Sequence, residues 1–129
     1  MISSVSLLAS HLTIFAHVKL IPLIEKVETD TLARGWNNML GNKGAVKAEF
    51  TLANKRFMVI NVHLHSGQNA IEKRNADFAH IMGRFVHGTE DFNQIVPVSR
   101  MPDVLLFLGD LNYRVNGYKS SIVQAMSSD

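Results

Sequence analysis

The run Ala45-Val46-Lys47-Ala48-Glu49-Phe50-Thr51-Leu52-Ala53-Asn54-Lys55-Arg56-Phe57-Met58-Val59-Ile60-Asn61-Val62-His63 decides how the rest of the chain is read. In its first part Val46, Ala48 and Phe50 alternate with Lys47, Glu49 and Thr51, the period of a strand with one wet face. Leu52-Ala53-Asn54-Lys55 turns the chain, and residues 56–62 form a second, more apolar strand that ends at His63. Two strands so closely spaced predict an antiparallel hairpin.

Toward the N-terminus, residues 12–20 read as a strand, and a polar stretch over 25–34 leads to the turn Gly41-Asn42-Lys43-Gly44. Toward the C-terminus, residues 70–87 place Ile71, Phe78, Ile81, Met82, Phe85 and Val86 at helical spacing, with Lys73, Asp77 and Arg84 mostly elsewhere. Gly88 is the expected residue just past that helix. Residues 104–108 are a continuous apolar run, expected of a strand buried on both faces. It delivers Gly109-Asp110-Leu111-Asn112 at its carboxyl end, where open α/β sheets place ligands. A last helix is expected to start at Ser120 or Ser121, and residues 125–129 stop without a capping glycine or proline, as a truncated end would.

Composition narrows the chemistry more than the fold. The 129 residues suit one domain, and a formal charge of +2 means that an anionic ligand must be held by a local site. With no cysteine, metal ligands must be oxygen or imidazole, and a reducing compartment fits. His17, Lys19 and Pro22 interrupt the most apolar stretch, residues 12–24, which falls short of the roughly 20 apolar residues that span a bilayer. The N-terminus has no early basic residue or cleavage signal of a secretory leader, and neither repeats nor linkers mark a domain boundary.

Asp110 and Asn112 stand two apart, so on an extended backbone a carboxylate and an amide would point the same way, able to orient a water or a phosphoryl oxygen. The same residues also suit a plain turn. His63 ends an apolar strand, where a lone histidine is commonly structural, and Asn61 and His65 share its face if the strand stays extended. Gly41-Asn42-Lys43-Gly44 combines flexible backbone with an amide and an ammonium, suited to a phosphate, though this composition more commonly makes a tight turn. Arg74 could reach a phosphate or solvate its helix face. His11, His17, His80 and His87 show no ligand spacing.

Three blocks, in order, carry a resemblance: Gly41-Asn42-Lys43-Gly44-Ala45-Val46, then Asn61-Val62-His63-Leu64 with Arg74-Asn75-Ala76-Asp77, then Gly109-Asp110-Leu111-Asn112-Tyr113-Arg114. Together they resemble the inositol polyphosphate 5-phosphatases over most of residues 12–114. The resemblance implies an α/β (α+β) fold that is part of a four-layer deoxyribonuclease-I-like sandwich, two mainly antiparallel sheets flanked by helices. It implies Mg²⁺-dependent removal of the 5-phosphate from phosphoinositide head groups or soluble inositol polyphosphates, with His63, Asp110 and Asn112 catalytic and Asn42, Lys43 and Arg114 on the substrate side. A cytoplasmic location with peripheral access to membranes is expected.

The chain also departs from the family pattern. Where many members carry a second histidine four residues after the first, Gly67 stands, in a run His65-Ser66-Gly67-Gln68 closer to a variant found in some members. The upstream Asn strand, the metal-binding Glu block and the downstream Trp-Cys-Asp-Arg and Ser-Asp-His blocks are not in the sequence. Residues 1–129 are therefore expected to be a partial catalytic domain with an incomplete site and no metal ligand of their own. A nuclease of the same superfamily and a noncatalytic binding module are the rival readings. No clustered basic or aromatic surface favours nucleic acid.

Overall fold

The computed structural model describes residues 1–35, 41–89, 97, 101–115 and 117–127. Strands β1 (Ser3–Leu7) and β2 (Ser10–Ile14) form a hairpin, followed by a 3₁₀ helix, Val18–Leu23. Next come β3 (Ile24–Ala33), β4 (Gly44–Leu52), β5 (Lys55–His63), helix α1 (Ile71–Met82) with a π-helical turn Gly83–His87, β6 (Val104–Asp110) and helix α2 (Lys119–Met126). The main sheet has the order β3-β4-β5-β6, antiparallel except for the β5–β6 pair, which is parallel.

The expected hairpin is β4–β5, with Leu52 paired to Lys55. Its two turn residues both have positive φ, Ala53 at 48° and Asn54 at 66°. That is the signature of the two-residue turn whose twist matches the strands it joins.

Alternation along β4 and β5 feeds two cores. Ala45, Met58, Ile60, Val62 and Leu64 face Ile81, Phe85 and Val86 of the helical segment. Val46, Ala48 and Val59 face Leu12 of the β1–β2 hairpin. Three layers result, hairpin on sheet on helix. Each fully buried aliphatic side chain contributes about 1.5–3 kcal/mol, so these two clusters dominate what holds the layers together.

Four expectations need correction. The strand expected over 12–20 ends at Ile14, because the chain turns into the 3₁₀ helix, where His17 Nδ1 accepts from the Lys19 amide at 3.2 Å. The polar stretch over 25–34 is the ten-residue strand β3, an edge strand whose ladder to β4 needs no apolar face. Charged side chains on such an edge also discourage pairing with other chains.

The helix buries Arg74 and Asp77 along with Ile81, whereas Ile71 and Phe78 stay 45% and 37% exposed. Its inward stripe is polar near the N-terminus because that half faces the carboxyl end of β5 rather than the apolar core. Gly88, at φ 69°, ends the helical segment as expected.

Finally, β6 is not buried on both faces. Leu105 and Phe107 pack toward the helix core, but Leu106 and Leu108 are 49% and 42% exposed. They pair with Val59 and Asn61, on the face that the β1–β2 hairpin covers at β4 and β5. The last helix starts at Lys119, and residues 128–129 of the expected unfinished end lie outside the described residues. No described helix is long and apolar enough to cross a membrane.

Candidate active site

Strand register builds the site. Gly44 of β4 pairs with His63 of β5, and His63 pairs with Asp110 of β6, so three strand ends meet in one row at the carboxyl end of β5 and β6. Two glycines make that row possible. At Gly44 (φ 141°) a Cβ would lie 2.0 Å from the Leu32 carbonyl oxygen, and at Gly109 (φ 117°) it would lie 2.3 Å from the Val62 carbonyl oxygen. Only a residue without a side chain lets β4 close on β3 and β6 close on β5 at this level.

Lys43, just ahead of Gly44, reaches across the row. Its Nζ lies 2.5 Å from His63 Nε2, and Asp110 Oδ2 lies 3.5 Å from the same nitrogen. An ammonium, an imidazole and a carboxylate thus converge on one point. Asp110 is 60% exposed on its side chain and His63 27%, so the cluster is open to solvent on the Asp110 side.

Asn112 enters differently from the expectation of parallel side chains. The strand ends at Asp110, and Asn112 has φ 53°, so the backbone is not extended between them. Asp110 Oδ1 accepts from the Asn112 amide at 3.0 Å, while Asn112 Nδ2 donates to the Leu64 carbonyl at 2.9 Å. The motif therefore makes the plain turn while leaving the Asp110 side chain beside His63. The turn fixes Asp110, and the Asn112 side chain staples that turn to the residue after His63.

The remaining expected site residues are not drawn into the row. Asn42 and Arg114 are exposed, with no hydrogen bond or ion pair among the described residues. Asn61 shares the His63 strand but donates to the His11 carbonyl at 3.0 Å, tying β5 to the hairpin.

Beneath the row lies a buried polar group that periodicity assigned to the helix exterior. Asp77, 1% exposed, accepts from Arg34 Nε at 3.1 Å and from the backbone amide and Nδ1 of His65 at 3.1 and 2.5 Å. Arg74, 2% exposed, donates to the carbonyls of His65 and Gly67 at 3.2 and 2.7 Å and lies 5.3 Å from the ring centre of Tyr113. Tyr113 in turn donates to Asn75 Oδ1 at 2.6 Å. The sequence signal was present: positions 74, 77 and 81 lie on one helical face, and Ile81 marks it as the buried one.

Among the described residues no group of three or more His, Asp or Glu side chains could hold a metal ion. The described residues alone thus make no site for the expected Mg²⁺, and no step assigned to them runs through a metal.

Comparisons with known proteins bear on the family and the fold. Residues 1–129 match the family model "Endonuclease/Exonuclease/phosphatase family 2". The type II inositol 1,4,5-trisphosphate 5-phosphatase of Mus musculus is 38% identical over 92 residues, 71% of this chain and 9% of that protein. The type I inositol polyphosphate 5-phosphatase 5 of Arabidopsis thaliana is 35% identical over 120 residues, 89% of this chain and 23% of that protein. A crystal structure of the inositol polyphosphate 5-phosphatase domain of SPsynaptojanin, in complex with inositol (1,4)-bisphosphate and a calcium ion, superposes with a TM-score of 0.73 at 26% identity, over 97% of this chain and 34% of that one. The chain thus spans about a third of the solved domain and less than a quarter of these two curated relatives. A match along its whole length, with three ordered motifs meeting at the end of one mixed sheet, places the chain in the endonuclease/exonuclease/phosphatase family, within its inositol polyphosphate 5-phosphatase branch.

Proposed function

We propose that this chain supplies the central part of a catalytic domain that hydrolyses the 5-phosphate of phosphoinositides or soluble inositol polyphosphates, with Mg²⁺ as the metal. The observation that carries the reading is the convergence of Lys43, His63 and Asp110 on one point, open to solvent. The substrates in the relatives' names and the inositol bisphosphate in the solved domain support the choice of ester. A cytoplasmic enzyme meeting lipid head groups at the membrane surface is part of the same proposal.

In this reading Lys43 places a compact positive charge against a phosphoryl oxygen. His63, held between Lys43 and Asp110, presents its imidazole to the same group, and Asp110 and Asn112 keep the row and its adjoining turn in place. A water attacks phosphorus as the P–O bond to the inositol ring breaks. One of its protons ends on the ring oxygen, and inorganic phosphate leaves. Charge spreads over the phosphoryl oxygens in that transition state, so donors fixed in advance lower the barrier more than flexible ones. The carboxylates for a divalent cation would come from outside the described residues.

The test is product identity. The complete protein, incubated with phosphatidylinositol 4,5-bisphosphate or inositol 1,4,5-trisphosphate and Mg²⁺, should release only the 5-phosphate and stop on chelation. Loss of the 4-phosphate instead, or cleavage of DNA without phosphate release from either inositide, would overturn the reading.

A further inference from the structure

We infer that Asp77 is a positioning residue for the reaction, and that the first turns of α1 act through it as a strut setting the spacing of Lys43 and His63. The inference rests on the proposed hydrolysis, and it assigns a task to residues outside the row.

A carboxylate buried to 1% exposure is costly unless its charge is answered, and Asp77 is answered from two different segments. One is Arg34, immediately after β3, whose own backbone amide donates to the Lys43 carbonyl at 2.7 Å. The other is His65, two residues past His63, held through both its amide and its ring nitrogen. Asp77 therefore links the backbone that carries Lys43 to the backbone that carries His63 through hydrogen bonds to a carboxylate, which are about twice as strong as neutral ones.

Its helix neighbours complete the strut. Arg74 holds the His65 and Gly67 carbonyls, and Asn75 receives the hydroxyl of Tyr113, next to Asn112. All three segments that meet in the row are thus tied to one helix by side chains within a single turn. An apolar helix face could fill this space equally well but would fix no distances, since van der Waals packing is not directional. A strut of this kind matters because misplacing a reacting group by about 1 Å can cost about 10²-fold in rate.

The test uses Asp77→Asn in the complete protein, a near-isosteric change that puts an amide donor where one carboxylate oxygen accepts. Well below its melting temperature, kcat on a 5-phosphorylated inositide should fall about 10- to 100-fold while KM stays within about threefold, because the substrate-facing groups remain. In a His63→Ala background the same change should cost almost nothing further, since the group it positions is gone. Unchanged kcat of the folded enzyme, or losses that simply multiply, would overturn the inference.

If Asp77→Asn does not fold, His65→Ala replaces it. This change removes only the ring contact at a residue with a 30% exposed side chain, and the same kcat loss per folded molecule is expected well below the melting temperature of the variant. A silent His65→Ala would then contradict the strut. Independently of turnover, the His63 imidazole ¹⁵N resonances should move in either variant. If they move while the unmodified protein fails to release 5-phosphate, the hydrolysis reading fails and the strut stands; if they do not move, the strut fails.

Discussion

Lys43 and His63 are 20 residues apart in the chain, yet Lys43 Nζ and His63 Nε2 lie 2.5 Å from each other. The contact follows from the hairpin register, which pairs Gly44 with His63 and so sets the preceding lysine beside the histidine. A shift by one residue would turn His63 to the helix face of the sheet, away from Asp110. The turn at Ala53 and Asn54, at the far end of the same hairpin, thereby helps fix the distance between two groups of the site.

Lys43→Ala should raise KM for inositides carrying several phosphates more than for one carrying a single phosphate, and the difference should shrink as salt screens the ammonium. Lys43→Arg should not restore it, because a planar fork does not reproduce a compact charge at that contact. Steady-state kinetics at low and high salt check this. Equal KM changes for all substrates at every salt concentration would leave Gly41 to Gly44 as a turn only.

Gly109→Ala should damage stability and rate together. The added Cβ would sit 2.3 Å from the Val62 carbonyl oxygen and 2.4 Å from Asn61 Oδ1, so β6 must move off β5 and take Asp110 with it. Overpacking of this kind costs about 1–3 kcal/mol, and the positive φ adds to it. An unchanged melting temperature and kcat would show that the close approach is not required.

Much of this frame was legible in the residues themselves. The alternation of Val46, Ala48 and Phe50, the run into His63 and the glycine after the helix each encode a local rule, and β4, β5 and the helix end follow them. Strand β3 escaped because an edge strand needs hydrogen bonds rather than an apolar face, and its Glu, Asp and Thr residues look like loop. Arg74 and Asp77 escaped for a related reason: counting apolar residues assumes that what is buried is apolar, and here the buried half-stripe is ionic.

The candidate site was legible by its residue types but not by its geometry. His63 and Asp110 meet through a parallel pairing of β5 with β6, and nothing local states which strand lies beside β5. The exposure of Leu106 and Leu108 was hidden likewise, since a five-residue apolar run does not say how many of its faces are covered.

Ala53→Gly should stabilise the protein by about 1 kcal/mol, because Ala53 sits at φ 48° with a Cβ that this region disfavours. Chemical denaturation of the two proteins checks it. A destabilised variant would mean that Gly's extra freedom in the unfolded chain outweighs the relief of strain.

Glu49 gives a pH dependence. Its partial burial opposes ionisation, but hydrogen bonds from Arg56 at 2.7 Å and Lys47 at 3.3 Å prevail and hold its carboxyl below the ordinary value of 4.5. A carboxyl lowered by folding contributes stability above its unfolded value and loses it as pH falls through the folded one. Glu49→Gln should therefore be less stable than the unmodified protein near neutrality, by about 0.5–1 kcal/mol for a partly exposed pair, and the gap should close as pH falls below 4.5 and through the lowered folded value. A gap independent of pH would contradict that origin.

The rate of 5-phosphate release by His63→Ala in the complete protein, at saturating inositide and with the fold verified by its melting temperature, bears most directly on the site. If His63 stabilises charge on the phosphoryl group between Lys43 and Asp110, kcat should fall by about 10²-fold or more while KM changes little. A variant that melts lower but turns over at the unmodified rate per folded molecule would contradict the account and return His63 to a purely structural place at the end of β5.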